Sequence, residues 1–161
     1  MSTPSKKLKG DYMNSKKIGN IGEAKFLSKC VEHGIPIYIP FGDNERADFV
    51  IEYNNKLLRI QVKTSVKAKD NKMIFDLTSS TCHRKNGNRH RYTNAEVDYF
   101  ALYNIERDVL LLYKAPKDTR TSITIHYSLP LNNQVKNINF EDDYLFEKVL
   151  CVETLHGTSN D

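Results

Sequence analysis

The chain has 161 residues, 39% of them hydrophobic and 27% charged, a balance that fits one globular domain and excludes a disordered or fibrous chain. No uncharged run approaches the length of a membrane span. The net charge of +4 is unevenly spread: residues 59–92 hold nine Lys/Arg against Asp70 and Asp76, while residues 137–161 hold six acids against Lys148, so one face is expected to attract a polyanion.

Residues 1–17, Ser/Lys-rich and without an apolar stretch, read as a flexible basic arm and not as a secretory signal. Ile18, Ile21, Ala24, Phe26, Leu27, Cys30 and Val31 fall at helical spacing, which predicts a helix from Ile18 to His33 capped by Gly34. Ile35 to Pro40 should be extended, and Asp43 to Arg46 a polar turn. Ala47 to Tyr53 reads as a strand, Asn54-Asn55 as a turn, and Leu57 to Lys63 as the returning strand. On that second strand Leu58, Ile60 and Val62 share one face, and Arg59, Gln61 and Lys63 the other.

Lys72 to Leu77 is a further strand, and Thr78 to Thr93 a polar, basic loop. Val97–Tyr103 and Val109–Tyr113 read as buried strands around a turn at Glu106 to Asp108, followed by a short strand at Ser122–Tyr127. Phe140, Tyr144, Leu145 and Val149 have helical spacing and predict a closing helix over 140–149. Residues 18–156 are thus expected to form one domain and 157–161 a frayed tail. Helix, strands, helix in this order is an α/β or α+β arrangement, with a mixed sheet flanked by helices. The three cysteines, Cys30, Cys82 and Cys151, have no paired spacing. That argues against disulfides and a cysteine zinc site, and for a reducing, intracellular location such as the cytoplasm.

Chemistry concentrates in Asp48, Gln61 and Lys63, with Glu23 upstream. A hairpin brings the start of one strand beside the end of the next, so Asp48 should meet Gln61, and Lys63 leaves the same face. Phosphodiester hydrolysis needs a divalent cation on oxygen ligands, an activated water, and neutralised charge in the transition state. Asp48 offers a carboxylate, Gln61 an amide oxygen and Val62 a backbone carbonyl, a sparse set that suits Mg²⁺. Lys63 would orient or deprotonate the water, and Glu23 would approach metal or water from the helix. Asp98 reads instead as a strand-start acid.

Arg84, Lys85, Arg89 and Arg91 lie within eight residues, beside Asn86 and Asn88. Such cations contact phosphates, and Arg and Asn also read base edges. Lys67, Lys69 and Lys72 should line the backbone path, and Thr64 and Ser65 could bond a phosphate. His83 and His90 lack a matching Cys or acid pair, which speaks against a zinc site.

Asp48 followed by Gln61-Val62-Lys63 resembles the PD-(D/E)xK nuclease signature in its variant with Gln for the second acid. Gly19-Asn-Ile-Gly22-Glu23 resembles the helix that carries an extra glutamate in that superfamily, including Holliday-junction resolvases. Pro40-Phe41, Asp48, Gln61 to Lys63 and Asp98 to Tyr103 follow in the order seen in its intron-encoded homing endonucleases, and the likeness spans roughly residues 18–116. The resemblance implies a restriction-endonuclease-like fold and Mg²⁺-dependent cleavage of double-stranded DNA, with Mn²⁺ as a substitute. It also implies a homodimer or homotetramer that cuts both strands. Ala47 stands where the motif has Pro, and Gln61 leaves fewer negative charges for the metal. A site-specific homing enzyme is the leading expectation. A junction resolvase and a non-catalytic DNA-binding protein on the same fold are the alternatives.

Overall fold

The structure is a computed structural model describing residues 14–42, 45–79, 89–118, 120–130, 132 and 135–150. The first helix, α1 (Ser15–Glu32), starts three residues before the expected Ile18, because the Asn14 side chain accepts the Lys16 N–H at 2.9 Å as an N-cap. Residues 15–17 therefore belong to the helix and not to an arm, while 1–13 lie outside the described residues. At its far end Gly34 takes φ +65°, with Gly34 N–H on Val31 O and Ile35 N–H on Cys30 O at 2.9 Å. This is a Schellman cap, which needs the left-handed glycine the sequence supplies.

Nine strands follow among the described residues: β1 (Ile37–Tyr38), β2 (Phe49–Tyr53), β3 (Lys56–Ser65), β4 (Lys72–Asp76), β5 (Thr78–Ser79), β6 (His90–Arg91), β7 (Tyr99–Asn104), β8 (Val109–Lys114) and β9 (Ser122–His126). The main sheet runs β1-β2-β3-β7-β8, and β3 pairs with β2 antiparallel but with β7 parallel, so the sheet is mixed. Asn54 and Asn55 both have positive φ, the geometry a two-residue hairpin needs between β2 and β3. Asp70 and Asn71 repeat it before β4, which pairs with β9 in a second layer.

Alternation along the strands builds a core on each face of the sheet. On one face Ile51, Ile60, Val62, Ala101 and Leu112 meet α1 through Phe26 and Cys30. Phe26 is fully buried, 5.5 Å from Phe49 and 6.1 Å from Phe146 by ring centroid. On the other face Phe100, Leu102 and Leu111 pack against Met73, Phe75, Ile123 and Ile125. The expected mixed sheet of an α/β fold, with helices packed on it, is therefore present.

Two expectations need correction. The basic loop 78–93 is a ribbon at its base, where β5 and β6 pair through Thr78↔Arg91 and Ser79↔His90, and its tip lies outside the described residues. Residues 140–149 do not form one helix. A 3₁₀ turn (Glu141–Asp143) gives way to extended chain, and the helix α2 (Phe146–Val149) is a single turn. The interruption covers the edge of β8: Leu112 N–H donates to Tyr144 O at 2.7 Å, and Leu145 bridges to Leu111. No helix among the described residues is long and apolar enough to cross a membrane.

Candidate active site

Asp48 sits just before β2. Its N–H donates to Ile60 O at 2.9 Å, the last ladder bond before β2 ends. Beyond that point β3 has no backbone partner on this side among the described residues, and the Asp48 carboxylate takes over. Its Oδ2 accepts the Val62 N–H at 2.7 Å and the Gln61 Nε2 at 2.6 Å. Gln61 is buried, and its amide also lies 3.4 Å from the Val62 carbonyl. The register makes Asp48 the residue opposite Gln61, since Phe49 pairs with Ile60.

Glu23 reaches this point because α1 comes unusually close to β3. A Cβ on Gly22 would lie 2.0 Å from Thr64 Oγ1 and 3.2 Å from Val62 Cγ1, so glycine permits the approach that brings the next residue to the sheet end. Burial raises the Glu23 carboxyl above its usual range, and the nearby Asp48 charge raises it further. The Asp48 carboxyl is raised as well: its burial outweighs the stabilisation from the Val62 N–H, the Lys63 charge and Gln61. Lys63 is shifted the opposite way. Burial lowers its ammonium, against the pull of Asp48 and Asp76. Its Nζ donates to Thr78 O at 2.8 Å and stands 4.8 Å from the centre of the Tyr92 ring. Asp48 thus meets Gln61 and lies within electrostatic reach of Lys63, as the hairpin spacing predicts, and Glu23 comes close to Asp48 from α1.

Two half-buried carboxylates that repel one another, an amide oxygen and a main-chain carbonyl are the donors a hard divalent cation takes. Among the described residues no group of three or more His, Cys, Asp or Glu side chains gathers that could hold a metal ion. An ion bound here would need the Gln61 amide turned to present its oxygen, a rotation that exchanges two atoms of nearly equal size.

The candidate DNA contacts are scattered by comparison. Lys67, Lys69 and Arg91 are exposed, and Lys72 is half-buried opposite His126 on β9. Ser65 accepts the Asn104 amide at 2.8 Å. Arg89 is exposed and pairs with Asp76 at 2.9 Å. Arg84, Lys85, Asn86 and Asn88 lie outside the described residues, as do Cys82, His83 and Cys151. The Thr64 hydroxyl is not available to a phosphate: it is buried against α1, with no hydrogen-bond partner among the described residues. Asp98 is structural, as expected, since it accepts the Arg59 N–H at 2.7 Å and both Nε and Nη2 at 3.1 Å. Tyr92 and the Thr78 carbonyl were not legible as site groups. The only hint was an aromatic closing a long polar, basic run.

The PD-(D/E)XK endonuclease family model matches residues 13–147. The chain belongs to that family. Nucleases of this family use divalent metals, which agrees with the donor set above. The comparison with curated proteins gave no match. Among solved structures the nuclease is similar to a bacterial homing endonuclease, I-Ssp6803I, with TM-score 0.67 and 20% identity over 86% of this chain and 93% of that one. At that identity the likeness shows a shared fold.

Proposed function

We propose that this nuclease is a Mg²⁺-dependent endonuclease that hydrolyses phosphodiester bonds of double-stranded DNA at specific sites, as homing enzymes do. The observation that carries the reading is the convergence of Asp48, Gln61 and Lys63 on adjacent strand ends, with Glu23 brought in by α1. Glu23, Asp48, Gln61 and the Val62 carbonyl would hold the ion. When held there, such an ion would supply Lewis-acid polarisation of the phosphate and make a water more acidic, and Mn²⁺ would serve in place of Mg²⁺.

The side chains do the rest. Asp48, fixed through Oδ2 by two donors, cannot swing away from the ion position. The Lys63 ammonium, lowered by burial, exchanges its proton more readily than an exposed lysine and stands ready to orient the attacking water. In its charged form it also offsets the negative charge that builds on the phosphorus oxygens. The Glu23 carboxyl, raised by burial, offers a second proton acceptor on the helix side. Lys67, Lys69, Lys72, Arg89 and Arg91 supply cations for the DNA backbone, and a homodimer or homotetramer would place two such sites on two strands. A buried free Cys30 accords with a reducing, intracellular setting.

The test is a cleavage assay on DNA flanking the protein's own coding sequence, beside long unrelated duplex and a four-way junction, each with Mg²⁺, Mn²⁺ or chelator. Cutting of the flanking duplex at one position, only with metal, is the expected result. Preference for the junction whatever its sequence would make the protein a resolvase. Binding without cleavage in either metal would make it a non-catalytic DNA-binding protein.

A further inference from the structure

A lysine side chain has four rotatable bonds, so its ammonium sweeps a wide volume unless something holds it. Two fixtures hold Lys63, and both come from the β5–β6 ribbon. Thr78 O, on β5, accepts the Nζ proton at 2.8 Å. The ring of Tyr92, directly after β6, lies 4.8 Å from Nζ at its centre. Each fixture is itself anchored. The Thr78 N–H and hydroxyl donate to Asp76 Oδ1 at 2.8 and 2.6 Å. Tyr92 is 7% exposed, and its ring meets Phe100 at 5.8 Å and His90 at 5.4 Å, edge to face in both cases. A carbonyl oxygen and the negative face of an aromatic ring both stabilise a cation, and neither carries a charge that would repel phosphate.

We infer that Tyr92 is a positioning residue for cleavage: its ring face, together with the Thr78 carbonyl, aims the Lys63 ammonium beside Asp48 and Gln61. The inference rests on the reading of Lys63 as part of the cleavage site. The ring, and not the hydroxyl, is the operative group, because the ammonium meets the ring. The same ribbon connects to the basic segment 80–88, so the element proposed to meet DNA also holds the lysine that acts on it.

The experiment replaces Tyr92 in the full-length protein with Phe, with Leu, and with phenylalanines of increasing fluorination, which drain the ring's negative face while keeping its outline. Nicking of supercoiled plasmid with Mn²⁺ gives kcat and KM, and duplex binding is measured without metal. Tyr92→Phe should keep kcat. Fluorination should lower it stepwise and Tyr92→Leu by about tenfold, all with KM and metal-free binding unchanged. A flat fluorine series overturns the inference even if Tyr92→Leu fails to fold. The ¹⁹F resonance at position 92 should also move when Lys63 becomes Met, and an unmoved signal would overturn the contact without recourse to activity. Lys63→Met run alone separates the two claims. Wild-type cleavage by Lys63→Met removes Lys63 from the site and the inference with it, whereas its inactivity beside a flat fluorine series removes only Tyr92.

Discussion

Gly22→Ala tests how the helix delivers Glu23. The added Cβ would lie 2.0 Å from Thr64 Oγ1 and 3.2 Å from both Thr64 Cβ and Val62 Cγ1. Restoring ordinary contact with the oxygen alone requires about 1.4 Å of movement, shared between helix and strand. Turning Thr64 relieves it in part, but a β-branched strand residue is stiff at χ1, and the two contacts at 3.2 Å remain. Overpacking of this kind costs about 1–3 kcal/mol, and the helix-propensity gain of alanine returns up to about 1 kcal/mol. The net loss of roughly 1–2 kcal/mol corresponds to a melting temperature lower by about 2–8 °C for a chain of this size. A helix pushed back by about 1 Å carries Glu23 with it, and a misplacement of that size costs about 100-fold in rate. The control is Gly19→Ala on the same helix, where a Cβ meets nothing within 4 Å. That variant should be as active as wild type and more stable by up to about 1 kcal/mol. Thr64→Ala should rescue much of the Gly22→Ala defect by removing the closest atom. Cleavage kinetics and thermal melts decide it. Gly22→Ala matching Gly19→Ala in both would refute the close approach as the device that positions Glu23.

Asp48→Asn should abolish cleavage yet leave metal-free duplex binding intact. Because burial raises the Asp48 carboxyl above its ordinary value in the folded state, folding favours its neutral form, and ionisation costs stability as pH rises through the carboxylate range. The Asn variant should therefore melt higher than wild type near neutral pH, with the gap closing toward pH 4; a lower melting temperature at pH 7 would contradict the sign. Asp98→Ala removes the acceptor of the Arg59 N–H and guanidinium and should cost about 1–3 kcal/mol in denaturant unfolding, with kcat per folded molecule unchanged. Although burial alone would raise it, the Arg59 bonds hold the Asp98 carboxyl low, so this contribution is present at neutral pH and fades on acidification. Arg89→Ala should weaken DNA binding and reduce its salt-dependence slope by about one; an unchanged slope places Arg89 off the DNA.

The convergence of Asp48 with Gln61 was legible because a hairpin is arithmetic. Asn54-Asn55 fixes a two-residue turn, and the pairing of Phe49 with Ile60 then sets Asp48 against Gln61. Period-two alternation put Gln61 and Lys63 on one face for the same reason. Contacts that depend on distant segments were not legible. The parallel pairing of β3 with β7 joins residues 39 apart, and the fixtures of Lys63 arrive from a run whose polar composition reads as loop. Residues 140–149 misled because local apolar spacing competes with a sheet edge that must be covered, and the edge of β8 won. Thr64 misled because a hydroxyl beside the candidate lysine of the nuclease motif reads as a phosphate ligand. Only the packed helix shows that its side chain is enclosed.

Under the proposed function Asp48 has two tasks that substitution can separate. Oδ2 takes both the Val62 N–H and the Gln61 amide, finishing the edge of β3 where β2 has stopped. Among the described residues Oδ1 has no hydrogen bond, and the negative charge it shares is what a divalent ion would use. Alanine at position 48 removes both functions, so its inactivity would not distinguish a lost ligand from a frayed strand end. Asparagine keeps an oxygen for Val62 and discards the charge. If the edge bond alone organised the site, Asp48→Asn would cleave and Asp48→Ala would not. If the charge is the essential element, both are inactive, and only Asp48→Ala is destabilised, by about 1–3 kcal/mol for the unpaired Val62 N–H. The second pattern is the one expected of a carboxylate retained in a setting that raises its pKa, since burial favours its neutral form and binding of a cation would favour the charged one.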